Sequence, residues 1–244
     1  MIKAYAKSDI GKVREINQDS YYISDSLDEV QLYMLADGMG GCQGGEIASK
    51  LAIQSAKNYI ENNFKEIEKD RESIIQLVGS SMEYANMIVY EKSKENKELE
   101  GMGTTLEICL IYNNKVFIGH VGDSRIYRIR KEFMRKLTQD HSYVQKLVKD
   151  GTITKEEAEV HPKKNMLLKA LGCNAFVEPD VAVKGFLKED ILLISSDGLT
   201  NMVKQDDIFQ IATGNIEKAP QRLVDLANEN GGMDNITVVI IKNI

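Results

Sequence analysis

Hydrophobic and polar positions alternate over residues 2–7, and apolar side chains then gather in two short runs, Y-Y-I within 20–24 and Q-L-Y-M-L-A at 31–36. Runs of this length and spacing predict strands. A glycine cluster, G-M-G-G-C-Q-G-G at 38–45, reads as a turn. Ile47, Leu51, Ala52, Ser55, Tyr59 and Phe64 then fall near helical spacing over 46–64. A second long helix is expected over 72–93, ending in a charged run at 91–98 that reads as a solvated surface. From 104 to 130 the pattern returns to strands, T-L-E-I-C-L-I-Y, K-V-F-I-G-H-V and R-I-Y-R-I-R, with a turn at Asn113 and Asn114, and predicts an antiparallel meander. Short helices and loops are expected over 141–172, one starting after Thr154 with Glu156 and Glu157 in its first turn. Strands at 180–184, 191–195 and 236–242 alternate with helices at 205–212 and 219–230. Strands at both ends with helices between predict one intertwined α/β domain over 1–244.

Composition narrows the function. The 244 residues carry 37 acidic and 31 basic side chains, a formal charge of −6, and 43% of them are hydrophobic. That apolar share builds a core, and the acidity argues against a nucleic-acid partner, which draws its affinity from clustered Lys and Arg. Cys42, Cys109 and Cys173 are odd in number and widely spaced, so three reduced thiols are expected and no disulfide framework. With no apolar leader and no run long enough to span a bilayer, the sequence reads as a soluble, cytoplasmic protein. Only three His accompany the three Cys, so metal chemistry must rest on oxygen ligands.

The carboxylates supply such a set. Asp37-Gly38 follows an apolar strand, and Asp197-Gly198 follows another, I-L-L-I. Asp234 sits in G-G-M-D-N just before the terminal strand, and Asp123 sits in G-D-S-R between two strands. Four aspartates within two residues of a glycine, each at a strand boundary, point to a shared site for a hard divalent ion such as Mg²⁺ or Mn²⁺. Zinc lacks His and Cys partners, and no contiguous EF-hand loop is present. Arg14, in V-R-E-I-N-Q-D, offers a fork that matches phosphate or carboxylate oxygens. The glycine cluster lacks G-x-G-x-x-G spacing, which argues against nucleotide binding. His120 reads as structural, His161 as a loop residue, and His141 as the best placed of the three for a polar role. No G-x-S-x-G accompanies them, which argues against a Ser-His-Asp hydrolase.

Nine segments in order closely resemble the metal-dependent protein serine/threonine phosphatases of the PP2C (PPM) family, in its bacterial stand-alone form. They are V-R-E-I-N-Q-D (13–19), L-A-D-G-M-G-G (35–41), G-G-E-I-A-S (44–49), M-G-T-T (102–105), G-H-V-G-D-S-R-I-Y (119–127), L-T-Q-D-H-S (137–142), K-A-L-G (169–172), S-S-D-G-L (195–199) and G-G-M-D-N-I-T-V-V (231–239).

The resemblance implies a four-layer α/β/β/α sandwich, two central antiparallel sheets flanked by helices, with metals at one end. It implies that Asp37 bridges two Mn²⁺ or Mg²⁺ ions, with the Gly38 carbonyl on one and Asp197 and Asp234 on the other. Asp19 resembles a nearby acid acting through metal-bound water, Asp123 a residue holding a third, weaker metal, and Arg14 the phosphate clamp. Residues 143–168 resemble the family's variable flap. The implied activity is hydrolysis of phosphoserine and phosphothreonine in proteins by a metal-activated water, opposing a bacterial eukaryotic-type Ser/Thr kinase that is itself a substrate. Many eukaryotic relatives carry D-G-H-G-G, whose His has been proposed as the general acid. Met39 stands there in this chain, so the leaving group must take its proton from elsewhere. A small-metabolite phosphoesterase, a partner-switching phosphatase and a non-catalytic binding module remain the alternative readings.

Overall fold

The computed structural model describes residues 1–25, 30–95 and 97–244, with 41–43 described by backbone alone; Asn96 of the charged run and the Cys42 thiol lie outside what is described. Two antiparallel sheets form the centre. One orders its strands β1 (Ile2–Asp9), β11 (Ile236–Asn243), β10 (Ile191–Ser195), β7 (Arg125–Arg130) and β8 (Phe133–Lys136). The other runs β2 (Asp19–Ile23), β3 (Gln31–Met39), β5 (Leu106–Tyr112), β6 (Lys115–Val121) and β9 (Asp180–Gly185), with β4 (Gly103–Thr104) on the end of β3.

Both faces of each sheet are covered, which explains why the central strands read as unbroken apolar runs. On β3, Leu32, Met34 and Ala36 face α1 (Gly41–Asn63) and α2 (Arg71–Ser93), while Tyr33 and Leu35 meet the other sheet. On β11, Val238 and Ile240 face α5 (Asp197–Thr200), α6 (Gln205–Thr213) and α7 (Ala219–Glu229), while Val239 and Ile241 point between the sheets. The period-2 alternation of strand side chains thus fills three apolar layers, and the helices close the outer two.

Local chemistry sets the element ends. Asp70 caps α2 by accepting from the Ser73 amide at 2.8 Å. Thr154 and Glu157 form a reciprocal capping box at α4 (Lys155–Glu159), at the place where the acidic first turn predicts a helix start. Asn113 and Asn114 both take positive φ, as the two-residue turn joining β5 and β6 requires.

The structure corrects three expectations. The 104–130 meander is split: β6 stays in one sheet while β7 crosses to the other and pairs with β10 and β8. Strand periodicity records burial on two faces but carries no information about which sheet a strand joins. The glycine cluster is mostly helix, because β3 continues through Asp37 to Met39, Gly40 turns the chain at φ 115°, and α1 begins at Gly41. Asp37 therefore lies inside a strand and not in the loop beyond it. Strand β8 is too short and too exposed for its pattern to announce it.

Residues 143–168 carry α3 (Tyr143–Lys149) and α4, neither of which buries a residue fully. The segment is tied at its base by a bridge between Ser142 and Leu167.

Candidate active site

The sequence-predicted carboxylates meet at one end of the sandwich, where strand ends from both sheets converge. Asp19 opens β2 and stands in register opposite Asp37 of β3. The Asp37 backbone is held on every side: its amide donates to Thr105 Oγ1 at 2.9 Å, and its carbonyl accepts from the Thr105 amide and Thr104 Oγ1, both at 2.9 Å. The main chain is thereby fixed beside Asp19. Gly38 packs so closely on the first turn of α1 that a Cβ would run into the Gly45 carbonyl and lie 2.7 Å from the Gln18 carbonyl oxygen.

Asp197 is the first residue of α5, and Asn201 Nδ2 donates to its Oδ2 at 3.0 Å. The preceding Ser196 accepts from the Thr237 amide at 2.9 Å and donates to Asp19 Oδ2 at 2.8 Å, so β10 and β11 together orient Asp19. Asp234 takes the Asn235 amide on Oδ1 at 2.9 Å and the Arg14 guanidinium on Oδ2 at 2.8 Å. Asn235 Nδ2 in turn donates to the Ile10 and Ile16 carbonyls, and its Oδ1 accepts from the Gln18 amide at 2.8 Å. This side chain pins the loop that carries Arg14. Asp123 lies in the crossing between the sheets, after Gly122, whose φ of 119° leaves no room for a Cβ against Thr105.

Electrostatics link these acids. Burial raises the Asp37 carboxyl well above its ordinary range, and Asp19, Asp197, Asp123 and Asp234 all push the same way. Asp19 is raised to about 7, by burial first and against hydrogen bonds from Thr237 and Ser196. Asp123 is also raised to about 7, by burial and then by Asp197 and Asp140, while Arg125 opposes. Burial and Asp234 raise Asp197. Carboxylates that destabilise one another's charge in this way call for cations. Asp19 Oδ1, moreover, is buried with no hydrogen-bond partner.

Among the described residues, no three His, Cys, Asp or Glu side chains close on a single point as they stand. A hard ion such as Mg²⁺ needs only one or two protein carboxylates, with water and carbonyl oxygen completing its shell, so a pair of ions shared among Asp37, Gly38, Asp197 and Asp234 fits this donor set. Zinc does not fit. His120 is buried against Glu107 (Nδ1 to Oε1, 2.7 Å) and the Gln139 carbonyl, and His161 Nδ1 accepts from the Lys163 amide. His141 stacks on His120 with ring centroids 4.5 Å apart, and its Nδ1 accepts from the Gly122 amide at 3.1 Å. Its polar role is thus support of the Asp123 turn.

The structure brings Asp19, Asp37, Asp123, Asp197, Asp234 and Arg14 to one end of the sandwich and adds supports that the sequence does not single out: Thr105, Ser196 and Asn235. Ser196 and Asn235 adjoin Asp197 and Asp234, so adjacency is the signal that could have drawn attention to them, whereas Thr105 has no candidate residue near it in the chain. Beside the acids, a cavity of about 730 Å³ lies between the 143–168 segment and α5–α6, with Asp123 and Asp197 at its edge.

The family profile described as Protein phosphatase 2C matches residues 12–221. Protein phosphatase PhpP of Streptococcus pneumoniae is 37% identical over 239 residues, covering 96% of this chain and 94% of that protein. The crystal structure of the serine/threonine phosphatase Stp1 from Staphylococcus aureus superposes with a TM-score of 0.92 at 35% identity, covering 100% of this chain and 96% of that one. The catalytic domain of the serine threonine protein phosphatase PstP, solved in complex with two manganese ions, gives a TM-score of 0.86 at 33% identity over 99% of this chain and 97% of that one. With a profile match across most of its length and relatives aligned nearly end to end, this chain belongs to the protein phosphatase 2C family.

Proposed function

We propose that the chain hydrolyses phosphoserine and phosphothreonine esters in proteins at a centre holding two Mn²⁺ or Mg²⁺ ions, with Asp37 between them, the Gly38 carbonyl on one, and Asp197 and Asp234 on the other. The observation that carries this reading is the gathering of Asp19, Asp37, Asp197 and Asp234 from both sheets at one end of the sandwich, where each raises its neighbours' affinity for positive charge. When bound, the ions supply a water of lowered pKa as nucleophile and offset charge on the phosphoryl oxygens.

The chain's own residues do the rest. Arg14 is 54% exposed and Asp234 37%, so their ion pair is worth only about 0.5 kcal/mol and opens readily. Arg14 is then free to donate to two phosphoryl oxygens. Asp19, held by Ser196, sets the polarity of the cleft floor and orients water there. Asp123 offers a further, weaker cation position at the edge of the cleft. Thr104 and Thr105 keep the Asp37 main chain from moving as charge develops.

The 143–168 segment, as a flap, walls the cavity beside the site. A protein substrate phosphorylated by a Ser/Thr kinase, the kinase included, is the partner this reading supplies, and the cytoplasm is its place. Among the described residues no helix is long and apolar enough to cross a membrane. Initial rates of Mn²⁺-dependent phosphate release from phosphothreonine peptides and from phosphorylated metabolites test the proposal. Selective turnover of the peptides is expected, and a preference for metabolites contradicts it.

A further inference from the structure

The cavity beside the site has a wall that the ion-binding residues do not explain. Its floor is the buried Asp140, which accepts from Arg125 Nη2 at 2.8 Å and Nε at 3.1 Å and from Lys136 Nζ at 2.9 Å. Two cations share one carboxylate there. Lys155 at the start of α4 and Lys164 line the flap side, and Lys204, just before α6, lines the opposite side. None of these three ammonium groups has a carboxylate partner among the described residues.

The lining holds five cations, Arg125, Lys136, Lys155, Lys164 and Lys204, against four carboxylates, Asp123, Asp140, Glu159 and Asp197, in a chain whose formal charge is −6; Asp123 and Asp197 lie with the other site acids, which leaves Lys155, Lys164 and Lys204 on the far walls. The cations feel one another: burial lowers the Lys136 ammonium, and Arg125 and Lys155 add to that lowering against Asp140. Unpaired lysines scattered on a surface mean little. Lysines that line one concave site from two separate elements raise the positive potential inside it, which an entering anion offsets.

We infer that this cavity is a second, anion-reading substrate subsite, in which Lys155, Lys164 and Lys204 take a carboxylate or a second phosphate carried by a residue flanking the phosphoresidue being cleaved. The inference rests on the phosphatase reading above and adds a preference for acidic or multiply phosphorylated segments. A cavity of 730 Å³ is about 9 Å across, which spans two or three residues of extended chain. The anion read is therefore within about three positions of the reacting residue.

The test uses three fluorescent phosphothreonine peptides that differ only in their flanks, which are alanine, glutamate or a second phosphothreonine. They are compared on the wild type, on the triple Lys155→Ala/Lys164→Ala/Lys204→Ala variant, and on its Lys→Arg counterpart. In the wild type, kcat/KM for either anionic peptide is expected to exceed that for the alanine peptide by about tenfold, mainly through KM, and to lose this advantage in high salt. The ratio should fall to near unity in the alanine variant and survive in the arginine variant. A wild type without the preference, or an alanine variant that keeps it, overturns the inference. If the wild type hydrolyses none of the peptides, the phosphatase reading itself fails. Fluorescence anisotropy then decides the subsite separately: tighter binding of the anionic peptides by wild type than by the alanine variant supports it, and equal binding refutes it.

Discussion

Asp19 and Asp37 stand directly opposite each other across β2 and β3, two buried or half-buried acids facing one another in a sheet register. Like charges so placed oppose folding unless a cation intervenes. Asp37→Asn should therefore raise the melting temperature in chelator, by about 2–4 °C per kcal/mol of repulsion relieved. It should also abolish most of the stabilisation that Mn²⁺ gives the wild type. Differential scanning fluorimetry with and without Mn²⁺ checks both, and a lower melting temperature in chelator counts against the repulsion.

Arg14 pairs with Asp234, a carboxylate of the proposed ion centre. Removing the guanidinium frees Asp234 and deletes a positive charge near the ions, so Arg14→Ala should bind Mn²⁺ about two- to fivefold more tightly. The same variant should raise KM for a phosphopeptide about tenfold, because the phosphate loses its bidentate donor. Calorimetry and steady-state kinetics are expected to move in these opposite directions. Parallel weakening of both indicates a purely structural Arg14.

Gly38 and Gly101 contrast two uses of the smallest residue. A Cβ at Gly38 collides with main chain from α1, whereas one at Gly101 meets nothing, though its φ of 77° strains any side chain. Gly38→Ala should cost about 3 kcal/mol and the activity, and Gly101→Ala about 1 kcal/mol with activity retained. Urea unfolding of the two variants measures the gap, and equal losses contradict the packing argument.

The buried pair His120–Glu107 makes stability depend on pH. Burial lowers the His120 imidazolium, but the Glu107 carboxylate outweighs it and pushes the group up to about 9. Burial raises Glu107 to about 7 against the pull of His120. Above pH 6.5 the unfolded pair has lost its protons while the folded pair keeps one, so this stabilisation is complete below the unfolded pKa of His and is lost as pH rises through about 9. The double variant His120→Gln/Glu107→Gln, which leaves neither group to titrate, should flatten the wild-type decline between pH 7 and 9, which amounts to at most about 1.4 kcal/mol per pH unit. Unfolding free energies of the two proteins across that range provide the comparison, and identical slopes count against a protonated His120.

The strands with two buried faces, the two long helices and the capped start of α4 were legible because periodicity and capping are local signals. The sheet assignment of β7 was not, since its R-I-Y-R-I-R alternation is satisfied by either sheet. Asp37, Asp123, Asp197 and Asp234 were legible as aspartates close to a glycine near strand ends, whereas Asp19 was legible as a site acid through the family resemblance alone. Their supports, such as Ser196 under Asp19 and Asn235 under the Arg14 loop, act across 177 and about 220 positions of chain, and a local pattern carries no trace of such contacts. The glycine cluster misled for a related reason: its glycines serve close packing of β3 on α1, which a sequence pattern does not distinguish from a turn.

The most direct test of the two-ion centre is phosphate release from a phosphothreonine peptide by wild type, Asp37→Asn and Asp234→Asn, each measured in chelator and in saturating Mn²⁺. The wild type is expected to be silent in chelator and restored by Mn²⁺, and both folded variants to stay at least about a hundredfold below the Mn²⁺-restored wild type in either condition. Turnover that survives chelation, or wild-type rates in both variants, contradicts the account.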